Sequence, residues 1–147
     1  MSNEKDFESF IKNLQKKIER EEEKYYSKKV IKEYRNPSNF GFIKKPDASA
    51  TIKGPCGDTM RIDLKIKQSK IYDARFWTDG CFSSVACGNI LTKMLIGKTL
   101  QQGRKITDED VLKALDGLPE GHMHCAILVI NVLNAGIDDY NKKRKKL

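Results

Sequence analysis

The side chains best able to do chemistry gather in three short stretches. Cys56 and Asp58 lie two residues apart in "GPCGD", Cys81 follows Gly80 in "DGCFSS", and Cys125 follows His124 in "GHMHC". Thiolate, carboxylate and imidazole are the common ligands of zinc and iron, and thiolates are also nucleophiles. No Cys-x-x-Cys spacing occurs among the four cysteines, which removes the usual zinc-ribbon and thioredoxin readings. Cys56, Cys81 and Cys125 all fall at the ends of expected elements, where a side chain can project from the core. A helix N-terminus also lowers the pKa of a nearby thiol, which favours metal ligation. Cys87 comes six residues after Cys81, about 240° further around a helix. Between Ala86 and Gly88 it reads as a packed core thiol.

Three thiolates with Asp58 and His124 could hold Zn²⁺ tetrahedrally as Cys₃His or Cys₃Asp. An iron–sulfur cluster prefers four thiolates, so the same donors would hold one loosely. Spacing alone does not choose between the two. Gly54, Pro55 and Gly57 let the turn around Cys56 fold sharply. Adjacent residues on a helix point about 100° apart, so a direct His124–Cys125 base–nucleophile pair, as in a thiol enzyme, is not expected. His122 reads as a solvent-facing or capping histidine.

The elements that must position these groups follow from periodicity. Phe7, Ile11, Leu14, Ile18 and Tyr25 recur at helical steps, so residues 4 to about 34 read as one amphipathic helix, ended by Pro37 and Gly41. Glu21 and Glu22 interrupt its seam, which suits a surface or association helix better than a long coiled coil. Strands are expected near 50–53, at 59–67 and at 71–78, the last with Tyr72, Ala74 and Phe76 on one face. Short turns between them imply an antiparallel meander. A helix follows from Cys81 with Ala86, Ile90 and Met94, and Leu91 and Leu95 beside them, on one apolar face ending at Gly97. Thr107 caps a short one, and the last starts near 121–125 with Ala126, Ile130, Leu133 and Ile137 inward. Strands followed by helices give an α+β fold, with helices over one face of a small sheet.

The 147 residues suffice for one domain. No run approaches the roughly 18 apolar residues of a membrane span, and the charged start is unlike a signal peptide, so the cytoplasm is the expected compartment. A disulfide framework is not expected there. The net charge of +8 owes much to the ending "NKKRKKL". That ending reads as a solvated, disordered tail over 141–147. Nucleic acid is not an expected partner, because no basic surface is interleaved with aromatics. A structural zinc protein with basic nucleic-acid-binding tails is the alternative reading.

"NPSNFGF", "GPCGDTMRIDLKI", "IYDARFWTDGCFSSVACGNILTKMLIGKT" and "LDGLPEGHMHC" occur in the order and approximate spacing of the U-type iron–sulfur cluster scaffold proteins, the IscU/NifU-like family. The chain resembles that family from about Tyr25 to Tyr140. This divides it into a helical extension (1–24), a scaffold domain (25–140) and a basic tail (141–147). The resemblance implies a three-stranded antiparallel sheet with helices packed on it. It also implies a carrier rather than an enzyme. Such a scaffold takes sulfur from a cysteine desulfurase and iron from a donor, builds a labile [2Fe-2S] cluster, and passes it to apo-proteins. By motif, Cys56, Cys81 and Cys125 would be the cluster and sulfur-accepting thiols. Asp58 would keep the cluster transferable, and His124 would be an alternative ligand. Zn²⁺ at the same residues would be compatible, and homo-oligomers are possible partners. Leu118 and Pro119 match the family's Leu-Pro-Pro-Val-Lys chaperone sequence, but Glu120, Gly121 and His122 do not. That departure puts recognition by an Hsp70-type chaperone in doubt.

Overall fold

The computed structural model describes residues 2–145. The helix expected from residue 4 to about 34 is in fact two, α1 (Ser2–Tyr25) and α2 (Lys28–Arg35). Ser27 causes the break. Its backbone is extended (φ −65°, ψ 159°), and its Oγ accepts from Val30 N at 3.1 Å, so it caps a new helix. The same hydroxyl donates to the Leu115 carbonyl, which ties the break to a distant segment. Arg35 pairs with Glu22 and, at 3.5 Å, with Glu19, fixing the last turns of α1 against α2. Further out, Phe7, Phe10, Leu14 and Ile18 stand exposed.

The sheet is a three-stranded antiparallel meander, β1 (Ala48–Lys53), β2 (Thr59–Lys67) and β3 (Lys70–Thr78), with β2 central. Gln68 and Ser69 both have left-handed φ (53° and 65°), the geometry of a two-residue hairpin turn. On β2 the alternation holds, with Met60, Ile62 and Leu64 buried. On β3 it holds for Ala74 and Phe76, both buried, but not at the start of the strand, where Tyr72 is exposed and Ile71 takes the inward place. Lys65 pairs with Asp73 while Ile66 pairs with Ile71, so Tyr72 is an extra residue, and a bulge reverses which side chains point inward.

Helices α3 (Phe82–Leu95) and α6 (His124–Lys145) cover one face of the sheet, and α4 (Leu100–Arg104) and α5 (Asp108–Ala114) complete the layer. The α+β class with helices on a small antiparallel sheet is therefore as expected. Helix α5 starts at its Thr107 cap. Helix α4 is too short for periodicity to detect, although Thr99 and Gln102 form a capping box that marks it. Met60, Leu64 and Phe76 pack against Leu91, Leu95, Val129, Leu133 and Ile137 in the core. A Cβ on Gly88 would lie 2.4 Å from the Phe76 ring, so glycine sets how closely α3 approaches β3. Instead of the single apolar face expected, α3 also buries Ser83, Ser84, Asn89 and Thr92. Its other side is covered by α2, where Glu33 accepts from Asn89 Nδ2 at 2.5 Å and from Lys93 Nζ at 2.9 Å.

Helix α6 continues to Lys145, so residues 141–145, expected in a disordered tail, are helical. An Asp139–Lys143 pair at 2.9 Å, one turn apart, supports that last stretch. Residues 146 and 147 lie outside the described residues. No described helix is long and apolar enough to cross a membrane.

Candidate metal centre

Three segments that are far apart in sequence converge at one end of the sheet. The β1–β2 turn carries Cys56 and Asp58, closed by Gly54 N donating to Asp58 O at 2.7 Å and Gly57 N donating to Gly54 O at 3.0 Å. The β3–α3 junction carries Cys81, which is the N-cap residue of α3. His124 and Cys125 open α6. The first two segments are stitched together. Thr59 N donates to Asp79 Oδ1 at 2.7 Å, and Thr78 Oγ1 donates to Thr59 O at 2.7 Å while accepting from Gly80 N at 3.0 Å.

One donor atom each from Cys56, Asp58 and His124 lies within 4.8 Å of the other two. The remaining two thiols join through Ser84, whose side chain is fully buried. Its Oγ lies 3.2 Å from Asp58 Oδ2, 3.4 Å from Cys125 Sγ and 3.9 Å from Cys81 Sγ. Three of the five residues singled out from the sequence, Asp58, Cys81 and Cys125, thus lie around one hydroxyl that the sequence did not single out, and Asp58 links it to Cys56 and His124. A signal for Ser84 was present, since it follows Cys81 by three residues and so shares its face of the first turn. Gly80 makes the arrangement possible. A Cβ there would lie 2.7 Å from Ser84 Oγ and 2.8 Å from Asp58 Oδ2.

The thiols differ in exposure. Cys56 and Cys81 are exposed, whereas Cys125 is buried. Burial, reinforced by the neighbouring Cys81 and Asp58, pushes the Cys125 thiol up to about 12, although Ser84 donating to the sulfur opposes this. The lowering expected of a helix N-terminus is therefore overridden by desolvation. Cys87 is fully buried in the core and its thiol is pushed well up by burial, in keeping with a packing role.

Two expectations about the histidines change. His124 Nε2 lies 3.6 Å from Cys125 Sγ, a contact that the helical offset argued against. His124 is the first residue of α6, at the point where the chain enters the helix. His122 does not face solvent freely. Its Nδ1 is 2.8 Å from Ser83 Oγ and its Nε2 is 3.4 Å from the Tyr25 hydroxyl, which leaves neither nitrogen directed at the cluster of donors. Beside it, Phe82 is sandwiched by Tyr26 and Tyr34, with ring centroids 4.3 and 3.7 Å away. On the other side of His124 a groove of about 360 Å³ runs between Ile52, Pro55, Ile127 and Leu128.

Chemically, the arrangement offers three soft thiol ligands, one hard carboxylate and one imidazole. That set suits zinc or iron and is more than a single tetrahedral ion needs.

Comparison with known proteins places the chain in a family. Residues 25–147 match the NifU-like N-terminal domain. The iron–sulfur cluster assembly scaffold protein IscU 1 of Archaeoglobus fulgidus is 41% identical over 123 residues, covering 83% of this chain and 80% of that protein. The iron–sulfur cluster assembly scaffold protein IscU of Escherichia coli K12 is 38% identical over 125 residues, covering 82% and 97%. Among solved structures, the N-terminal part of a nitrogen-fixing NifU-like protein from Brucella abortus superposes with a TM-score of 0.61 at 22% identity, over 80% of this chain and 94% of that one. The chain is thus a member of the NifU-like N-terminal domain family, with α1 preceding the matched region almost entirely.

Proposed function

We propose that the protein is a scaffold on which iron–sulfur clusters are assembled and from which they are passed on. Two groups that share Asp58 carry this reading: Cys56, Asp58 and His124 close to one another, and Asp58, Cys81 and Cys125 around Ser84. The relatives' names supply its class. The cluster is cargo here, so the residues need only hold it and let it go.

Sulfur arrives as a persulfide on a cysteine desulfurase. A scaffold thiolate attacks the terminal sulfur, a new S–S bond forms, and the desulfurase cysteine leaves as its thiolate. Each transferred sulfur then takes two electrons from an external thiol or iron–sulfur electron donor to become sulfide. The exposed Cys56 and Cys81 are the thiols a partner can reach, whereas buried Cys125 is a ligand for cargo already in place. Cys125 must lose its proton to bind metal, and His124 Nε2, 3.6 Å away, is placed to receive it.

A [2Fe-2S] cluster bridged by its own sulfides needs four protein ligands and finds five donors. The three cysteines take three positions, and Asp58 or His124 takes the fourth. A single carboxylate among thiolates is the weakest bond to iron, so it is the one that opens on transfer. Zn²⁺ fits the same donors, with Cys56, Asp58 and His124 already close together.

The test is anaerobic reconstitution of zinc-stripped protein with ferrous iron, cysteine and a cysteine desulfurase, followed by addition of an apo-ferredoxin. A visible chromophore with about two irons and two sulfides per chain that moves to the ferredoxin is expected. Colourless protein that binds only zinc would overturn the reading.

A further inference from the structure

Helix α1 precedes the family-matched residues almost entirely, so the scaffold reading gives it no role. Its geometry is nonetheless specific. Phe7 is 65% exposed, Phe10 61%, Leu14 42% and Ile18 46%, and all four lie with Ile11 on one stripe of a helix standing off the domain. Helices in water are held mainly by burying such a stripe, and a 24-residue helix left uncovered is marginal.

We propose that this stripe pairs with α1 of a second copy of the chain in an antiparallel, two-fold symmetric coiled coil. The seam residues Phe7, Ile11, Leu14 and Ile18 are spaced four, three and four apart. Two such helices laid antiparallel about an axis between residues 12 and 13 set Phe7 against the partner's Ile18 and Ile11 against the partner's Leu14. Symmetry repeats both contacts, so all four layers are apolar on both sides. In the same register the flanks are compatible. Phe10 lies beside the partner's Lys17, whose stem and charge suit an aromatic face, and Glu8 lies beside the partner's Gln15.

Parallel pairing is the poorer choice. Its one attractive flank, Lys17 with the partner's Glu22, would compete with the Glu22–Arg35 pair already made. It would also crowd both domains at the Tyr25 end, whereas the antiparallel arrangement places them at opposite ends and opposes the helix dipoles. An anionic membrane is no better an occupant, because α1 carries six basic and seven acidic side chains. The seam stops where Glu4 meets the partner's Glu21, so the interface is short. It covers on the order of 1,000 Å² in total, the low end for a specific contact, which points to micromolar affinity.

Sedimentation velocity on the full chain, from about 1 to 200 μM, tests this. Mass should rise from monomer towards dimer across that range. Leu14→Lys should stay monomeric at the top concentration while matching the circular dichroism and urea midpoint of the parent at the lowest concentration, where the parent is monomeric too. Tyr72→Lys, a change at an equally exposed residue on the sheet, should dimerise as the parent does. Benzoylphenylalanine in place of Phe10 should photo-crosslink near the partner's Lys17. A chain monomeric throughout, a dimer that survives Leu14→Lys, or a crosslink to the partner's residue 10 would each overturn the proposal. So would binding of the monomer to anionic vesicles through this face. None of these outcomes depends on what the metal centre carries.

Discussion

The wall of the centre made by the β1–β2 turn is exposed and closed by two backbone hydrogen bonds, whereas the wall made by the starts of α3 and α6 is set into the core. Cys56 and Asp58 belong to the first, Ser84 and Cys125 to the second. Cys81, the exposed N-cap of α3, lies at the rim between them. Turns open more readily than packed helices, because little apolar surface must be exposed to move them. On the scaffold function proposed above, the helical wall would keep the cargo positioned and the turn would admit and release it.

Four measurements would break or sharpen this contrast. The largest effect is expected beneath the helical wall, where Phe76→Ala should cost about 3–5 kcal/mol in urea unfolding. Pro55→Ala in the turn should stay within about 0.5 kcal/mol, and comparable losses would mean that the two walls are equally built in. Next is thiol reactivity. In zinc-free protein near neutral pH, iodoacetamide should modify Cys56 and Cys81 about a hundredfold faster than Cys87 and Cys125, read by peptide mass spectrometry. Equal rates at Cys56 and Cys125 would erase the distinction.

The third concerns release. Asp58→Ala should lengthen the lifetime of a reconstituted cluster by about tenfold, followed by visible absorption, because the exchangeable carboxylate is gone. A shorter lifetime would make Asp58 a holding ligand and would reverse the role of the turn. The smallest effect belongs to the residue joining the walls. Ser84→Ala should lower stability by about 1 kcal/mol through the lost hydrogen bonds. No change would mean that the walls are not coupled through this hydroxyl.

Much of this architecture was legible in the chain. The alternation of Met60, Ile62 and Leu64 marked β2, Thr107 marked α5, and the three cysteine motifs marked the segments that converge, because each depends on local chemistry. What escaped depends on tertiary geometry. No periodicity reports that Ser27 will cap against Leu115, or that the bulge at Lys65 and Ile66 will turn Tyr72 outward. Burial likewise decides the state of Cys125 against its helix position, and the sequence shows only the position. The tail erred for the opposite reason. Five basic residues suggested disorder, yet α6 runs on through four of them, Lys142 to Lys145, as a continuation of a buried helix.

Ser84 has a single hydroxyl proton and two waiting acceptors, Asp58 Oδ2 at 3.2 Å and Cys125 Sγ at 3.4 Å. Of the two placements of that proton the one on Asp58 is favoured, because a carboxylate oxygen is a stronger acceptor than a thiol sulfur that burial keeps protonated. Rotation about one side-chain bond exchanges them on the picosecond-to-nanosecond scale or somewhat slower in a packed site. A cation held by Asp58 would take that oxygen from the hydroxyl and leave its proton to the Cys125 sulfur, so one buried rotor would report on the β1–β2 turn to the start of α6.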